Sequence, residues 1–202
     1  EEGERLALRS TDEILGRSSE SGLLKSDPHL SPEHARFTIE EGALYCEDLG
    51  SFNGVFTRLM SETVIHDGGM FRIGQQLFLF EKQSERSPDY AEETMSCIPF
   101  GSPINDIWGR LSSVCGPKIY ADQWILKTPE VYLGREQGTV TFPDDVFVSG
   151  THCRLKYVDQ TCRLEDLGST NGTYVKRNGK FKLEVKDFVL LGQQLFRVEY
   201  PK

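Results

Sequence analysis

An internal repeat constrains this chain more than any other feature of its sequence. Gly16-Arg17 recurs as Gly134-Arg135, and Ser31 and His34 recur as Ser149 and His152. EDLGSFNG at 47–54 recurs as EDLGSTNG at 165–172, and GQQLF at 74–78 recurs at 192–196. Every element lies 118 positions from its counterpart, so no insertion or deletion separates the copies over this span. The chain has 202 residues, enough for two small domains of about 100 residues each.

Each copy reads as β. Short runs rich in Val, Ile, Leu, Phe and Tyr are broken by Gly, Asn, Asp and Pro, as at 35–39, 71–73 and 77–80, with counterparts at 153–158, 188–191 and 195–200. No long stretch carries helical periodicity between caps. Many short strands between frequent turns predict an all-β protein of two antiparallel β-sandwich domains in tandem. The boundaries read from the repeat are 1–81 for the first domain and 106–202 for the second. A polar, acidic linker at 82–105 (KQSERSPDYAEETMS at its start) lies between them. The second copy's first strand is expected within 107–114; the first copy has no matching strand in this sequence.

Composition narrows the function. With 38% hydrophobic and 27% charged residues the chain can bury a core. A net charge of −8 counts against duplex nucleic acid as partner. The cysteines Cys46, Cys97, Cys115, Cys153 and Cys162 are odd in number and show no CxxC pair, which predicts no metal site, no disulfide scaffold and a cytoplasmic, reducing setting. No apolar run approaches a membrane span and no signal peptide is visible, so no membrane insertion is expected.

The ordered set Gly-Arg, Ser-x-x-His and Gly-Ser-x-Asn-Gly, present twice, resembles the forkhead-associated (FHA) domain, over nearly the whole chain outside the linker. The resemblance implies loops at one end of each sandwich that recognise phosphothreonine, with no cofactor and no catalysis. The partner would be a phosphothreonine-containing protein, set by a Ser/Thr kinase or its substrates. By similarity, Arg135, Ser149 and Thr170 would hold the phosphate, backbone N–H groups around Gly150 would add donors, and Asn171 would fix its loop and touch the peptide. His152, Gly134 and Gly172 would support the site. In the first copy the matching positions are Arg17, Ser31 and Asn53, supported by Gly16, His34 and Gly54. The chemistry fits, because a guanidinium fork donates two parallel bonds to phosphate oxygens and a glycine lets backbone approach closely.

The copies differ. Phe52 stands where the second has Thr170, Val55 where it has Thr173, and Pro32, without an N–H, follows Ser31. The second domain is therefore expected to be the better phosphothreonine reader. Lys176, Arg177, Lys180, Lys182 and Lys186 follow the second turn; they read as a solvated face or as a preference for acidic residues beside the phosphothreonine. Thr94, after two glutamates in the linker, is an ordinary linker threonine or a phosphorylation switch that captures one of the sites. Three other readings remain: a Ser149–His152–Asp166 hydrolase triad, which no nucleophile-elbow pattern supports; a phospho-independent assembly module; and the sensory part of a longer regulator.

Overall fold

The structure, a computed structural model, describes residues 5–83 and 106–200. It is almost wholly β, as the turn-punctuated sequence predicts. The described strands are β1 (Asp12–Leu15), β2 (Ala35–Glu40), β3 (Ala43–Asp48), β4 (Val55–Arg58), β5 (Thr63–Ile65), β6 (Met70–Ile73), β7 (Gln76–Lys82), β8 (Gly109–Gly116) and β9 (Ile119–Leu126). They continue with β10 (Glu130–Gly134), β11 (Val140–Thr141), β12 (Cys153–Val158), β13 (Thr161–Asp166), β14 (Thr173–Arg177), β15 (Lys180–Leu183), β16 (Phe188–Leu191) and β17 (Gln194–Arg197). One helical turn, α1 (Gly22–Lys25), lies in a loop of the first copy.

The compact units are not the two sequence copies. One unit is Glu1–Leu59 with Tyr174–Lys202, and the other is Met60–Thr173. The boundaries expected at 1–81 and 106–202 follow the sequence copies; the compact units divide the chain differently. Each unit joins the N-terminal half of one copy to the C-terminal half of the other. In the first unit β15, from the second copy, pairs with β3 of the first (Lys180 opposite Glu47, Leu183 opposite Leu44). In the second unit the repeat-equivalent β5 pairs with β13 (Cys162 opposite Ile65). The exchange is therefore reciprocal. The region 84–105 lies outside the described residues. The described strands on either side of it, β7 and β8, pair with each other (Phe80 opposite Leu111).

The first unit has strand orders β1-β2-β3-β15 and β17-β16-β4-β14; the second has β11-β10-β12-β13-β5 and β6-β7-β8-β9. Pairing is antiparallel except for the short β10–β11 contact, which is parallel. The strand expected within 107–114 is β8. Among the described residues the first unit has no such strand beside β17; β14 pairs with β4, with Thr57 opposite Val175, its own repeat counterpart.

Packing shows why the exchange holds. The first unit's core joins Leu15, Phe37, Leu44, Cys46 and Val55 of the first copy to Phe181, Leu183, Val189, Leu191 and Val198 of the second. Burying five such side chains contributes on the order of 10 kcal/mol, comparable to a whole domain's net stability. The GQQ repeat supplies a polar clasp as well. Buried Asp27 accepts from Gln193 N (2.8 Å) and Gln194 Nε2 (3.2 Å), while buried Asp145 accepts from Gln75 N (2.8 Å) and Gln76 Nε2 (2.9 Å). The two copies carry the same clasp residues, so the clasp itself does not distinguish the two ways of joining the halves.

Candidate functional site

The repeated motif residues converge on three loops in each unit: after β1, before β2 and between β3 and β4 in the first, and after β10, before β12 and between β13 and β14 in the second. The exchange point falls after the last of these loops, so each set of loops comes from a single copy.

The Gly-Arg step ends a strand under close backbone contact. A β-carbon on Gly16 would stand 2.3 Å from Pro32 O, and one on Gly134 would stand 2.2 Å from Gly150 O. Only glycine allows that approach. The following arginines then bond to the serine loops: Arg17 N donates to Ser31 O (3.0 Å) and Arg135 N to Ser149 O (2.8 Å). The carbonyl of Gly150 accepts from Glu136 N (3.3 Å) and Gln137 N (3.0 Å).

The histidines tie the serine loop to the Asn-Gly turn. His152 is fully buried; its Nδ1 accepts from Ser149 N (3.0 Å) and its Nε2 donates to Gly172 O (3.1 Å). His34 does the same between Ser31 N (3.1 Å) and Gly54 O (3.0 Å). A backbone N–H on one ring nitrogen and a carbonyl on the other require the proton on Nε2. With both nitrogens committed to backbone, His152 does not activate Ser149, and the hydrolase-triad arrangement is not formed. Gly54 and Gly172 have φ of 83° and 87°, the left-handed conformation that the turn demands.

The serine oxygens accept from the turn: Phe52 N reaches Ser31 Oγ (3.0 Å) and Thr170 N reaches Ser149 Oγ (3.1 Å). Each hydroxyl hydrogen is left to donate outward. Asn53 Nδ2 donates to His29 O (2.8 Å) and Asn171 Nδ2 to Phe147 O (2.9 Å), so both asparagines fix their loops.

Two asymmetries appear. The turn residue whose N–H meets the serine hydroxyl is Thr170 in the second unit, which carries a hydroxyl, and Phe52 in the first, whose ring is 74% exposed. The second turn is also pinned more firmly. Asp166 Oδ1 accepts from Gly168 N (3.0 Å) and Ser169 N (2.8 Å), and Oδ2 accepts from Ser169 Oγ (2.6 Å) and Thr173 Oγ1 (2.7 Å). Its counterpart Asp48 accepts from Ser51 N, and Val55 has no hydroxyl to offer it. Burial by itself raises the Asp166 carboxyl, but the bonds from Ser169 and Thr173 outweigh it and hold it below the ordinary carboxylate value. A depressed carboxyl stabilises the fold above its unfolded value, about pH 3.9, and that contribution is lost as pH falls through the folded value. Asp166→Asn is expected to lose about 1–3 kcal/mol at pH 7, with the deficit shrinking below about pH 4, as read from denaturant melts across pH.

The guanidinium environments differ too. Arg135 Nη2 lies 2.9 Å from Glu136 Oε1, in a half-exposed pair of adjacent residues. Arg17 is followed by Ser18 and has no such carboxylate. Sequence reading missed Glu136; an acidic residue beside a proposed phosphate-binding arginine was the available signal. It also assigned Lys176 to the neighbourhood of the second turn, which it follows in the chain. The structure places it against the first: a β-carbon on Gly54 would stand 2.4 Å from Lys176 Cε. Of the rest of that basic run, Arg177 covers the Phe181 ring (4.9 Å), Lys180 pairs with Glu40, and Lys182 pairs with Glu184 (2.6 Å).

Cys46 and Cys162 are buried, and desolvation pushes each thiol up to about 12. Among the described residues no cluster of His, Cys, Asp and Glu is arranged to hold a metal. No described helix is long and apolar enough to cross a membrane. Thr94 lies outside the described residues.

Comparison with known proteins matches these motifs. The model of a family described as FHA domain fits residues 13–74 and 131–192. The chain is 37% identical over 54 residues to the FHA domain-containing protein FhaB of Mycobacterium tuberculosis, covering 27% of this chain and 35% of that protein. It is 32% identical over 76 residues to FhaB of Mycolicibacterium smegmatis, covering 36% and 49%. It is also similar to the oxoglutarate dehydrogenase inhibitor of Corynebacterium diphtheriae, 34% identical over 97 residues, covering 46% of this chain and 67% of that protein. The chain spans between a third and a half of the length of the FhaB proteins it matches.

Proposed function

The chain belongs to the FHA domain family, the phosphothreonine-binding class of signalling module, and from that premise we propose that it is a two-site, non-catalytic reader of phosphothreonine proteins whose second site is the better one. One observation carries the ranking. Thr170, whose N–H binds Ser149 Oγ, brings a hydroxyl-bearing side chain to that turn, with Arg135 on the neighbouring loop, whereas the first site has Phe52 at that position. A phosphate dianion needs several converging donors and a cation, and the second site has a full set. Glu136 competes for the Arg135 fork, so bound phosphate must displace a carboxylate there; an exposed pair of this kind is worth about 0.2–1 kcal/mol, too little to reverse the ranking. Ser149 and Thr170 would donate to the phosphate oxygens, with Asn171 and His152 holding the loop. In the first site Arg17 and Ser31 would play the same parts with Asn53 and His34 behind them. Gly150, Gly134, Gly172, Gly16 and Gly54 set the backbone. The reading carries with it a cytoplasmic location and a partner phosphorylated by a Ser/Thr kinase.

The test is calorimetry on the full chain with matched phosphothreonine, phosphoserine and unphosphorylated peptides selected from an oriented library. We expect phosphate-dependent binding with the threonine form favoured by about fivefold, since one buried methyl contributes about 1 kcal/mol. Equal binding of the unphosphorylated peptide would favour the assembly reading instead.

A further inference from the structure

Lys176 is encoded just after the second site, but the exchange of halves builds it into the first unit. It stands on β14 opposite Phe56 of β4, next to the end of the first Asn-Gly turn. Its stem crosses Gly54 so closely that a β-carbon there would meet Cε at 2.4 Å and Nζ at 3.0 Å. A turn glycine thus leaves room for a lysine from the other copy, and the ammonium is held at the Asn53-Gly54 turn.

That ammonium has no ion pair or hydrogen bond among the described residues, in contrast to Lys180, Lys182 and Arg177 on the same β14–β15 hairpin. Its repeat counterpart Arg58 is occupied differently, lying over the Phe188 ring at 5.4 Å. The first site therefore has the Arg17 guanidinium on one loop and a second unneutralised cation beside its turn, in a chain of net charge −8. The side chain is half-buried, and with no carboxylate of the chain paired to it among the described residues its ammonium is open to a ligand anion. The same site lacks a hydroxyl at Phe52, so a lone phosphate finds fewer donors there than at the second site.

We propose that Lys176 is a ligand-binding residue of the first site, and that it makes this site select phosphothreonine segments with an acidic side chain next to the phosphothreonine, the carboxylate pairing with Nζ. The proposal rests on the phosphothreonine reading of the first site. It assigns the two sites different ligands: a phosphothreonine on its own at the second, and a phosphothreonine with a neighbouring carboxylate at the first.

The experiment uses the full chain carrying Arg135→Ala, so that binding reports the first site. Phosphothreonine peptides with one glutamate moved through the flanking positions are compared with glutamine-substituted twins. The expected result is a preference of about five- to tenfold for glutamate at one position, shrinking at high salt as a rim charge pair should. Lys176→Gln should abolish the preference and Lys176→Arg should keep it. A purely structural lysine would instead weaken both twins equally, and an unaltered glutamate preference in Lys176→Gln would overturn the proposal. So would phosphate-dependent binding with no glutamate preference in the parent, which leaves the phosphothreonine reading standing. Loss of all phosphate-dependent binding in the Arg135→Ala chain would overturn the reading of the first site and the proposal with it.

Discussion

Arg135→Ala in the full chain is expected to weaken phosphothreonine-peptide binding at the second site by about 30- to 1000-fold, a loss of ~2–4 kcal/mol. The size follows from the chemistry of the pair. A guanidinium and a phosphate share charge-assisted parallel bonds, and removing the cation leaves a dianion to be held by hydroxyls and N–H groups alone. The fold should be indifferent, because the side chain's ion pair is with Glu136, the next residue along, and its backbone bonds to Ser149 O stay in place. Thermal melts should therefore be unchanged while calorimetry shows the loss. Arg17→Ala should cost less for the same peptide, since Phe52 and Pro32 already leave the first site short of donors. Normal affinity in a folded Arg135→Ala chain would show that the assigned loops are not the phosphate site.

Cysteines placed by Tyr45→Cys and Lys182→Cys are expected to crosslink almost completely within one chain. The two positions face each other across β3 and β15. Directly opposed residues on antiparallel strands bring their β-carbons within about 4.5–5.5 Å, within reach of a short bismaleimide that alkylates both thiols. If each copy instead closed on itself, the neighbour of Tyr45 would be Val64, the repeat counterpart of Lys182. In the structure Val64 faces Arg163. Tyr45→Cys with Val64→Cys should thus fail to crosslink, and Val64→Cys with Arg163→Cys should succeed. Cys46, adjacent in sequence, is buried with its thiol pushed up by desolvation to about 12, so it will not compete for the reagent. Peptide mapping of the monomer fraction gives the answer directly. Linkage of 45 to 64 and not to 182 would show that the halves are not exchanged.

The loops that carry the motif residues were legible in sequence because each set lies in one continuous stretch. Gly134-Arg135, Ser149, His152 and the turn at 168–172 meet through local chain reversals. Their residue types report the constraint: a glycine where backbone nearly touches backbone, a histidine where two loops need a bridge, and Asn-Gly where φ must be positive. Asp166 was legible as a turn former for the same reason, although its bond from Thr173 emerges only in three dimensions.

An all-β protein, two copies of one motif, the residues of each set of motif loops and the hydroxyl that Phe52 lacks were all readable from residue order. Which C-terminal half completes which sandwich, and with it the place of Lys176 beside the Asn53-Gly54 turn, came only from the folded chain. The reason lies in the repeat. Asp27 and Asp145 each clasp a Gln-Gln pair of the same sequence, and β15 and β5 both end on a buried aliphatic residue, Leu183 and Ile65. The clasp motif is therefore the same for both pairings. What distinguishes the observed pairing is long-range: β4 and β14 pair with each other, Thr57 opposite Val175, with Met60 onward in the second unit and Tyr174 onward in the first.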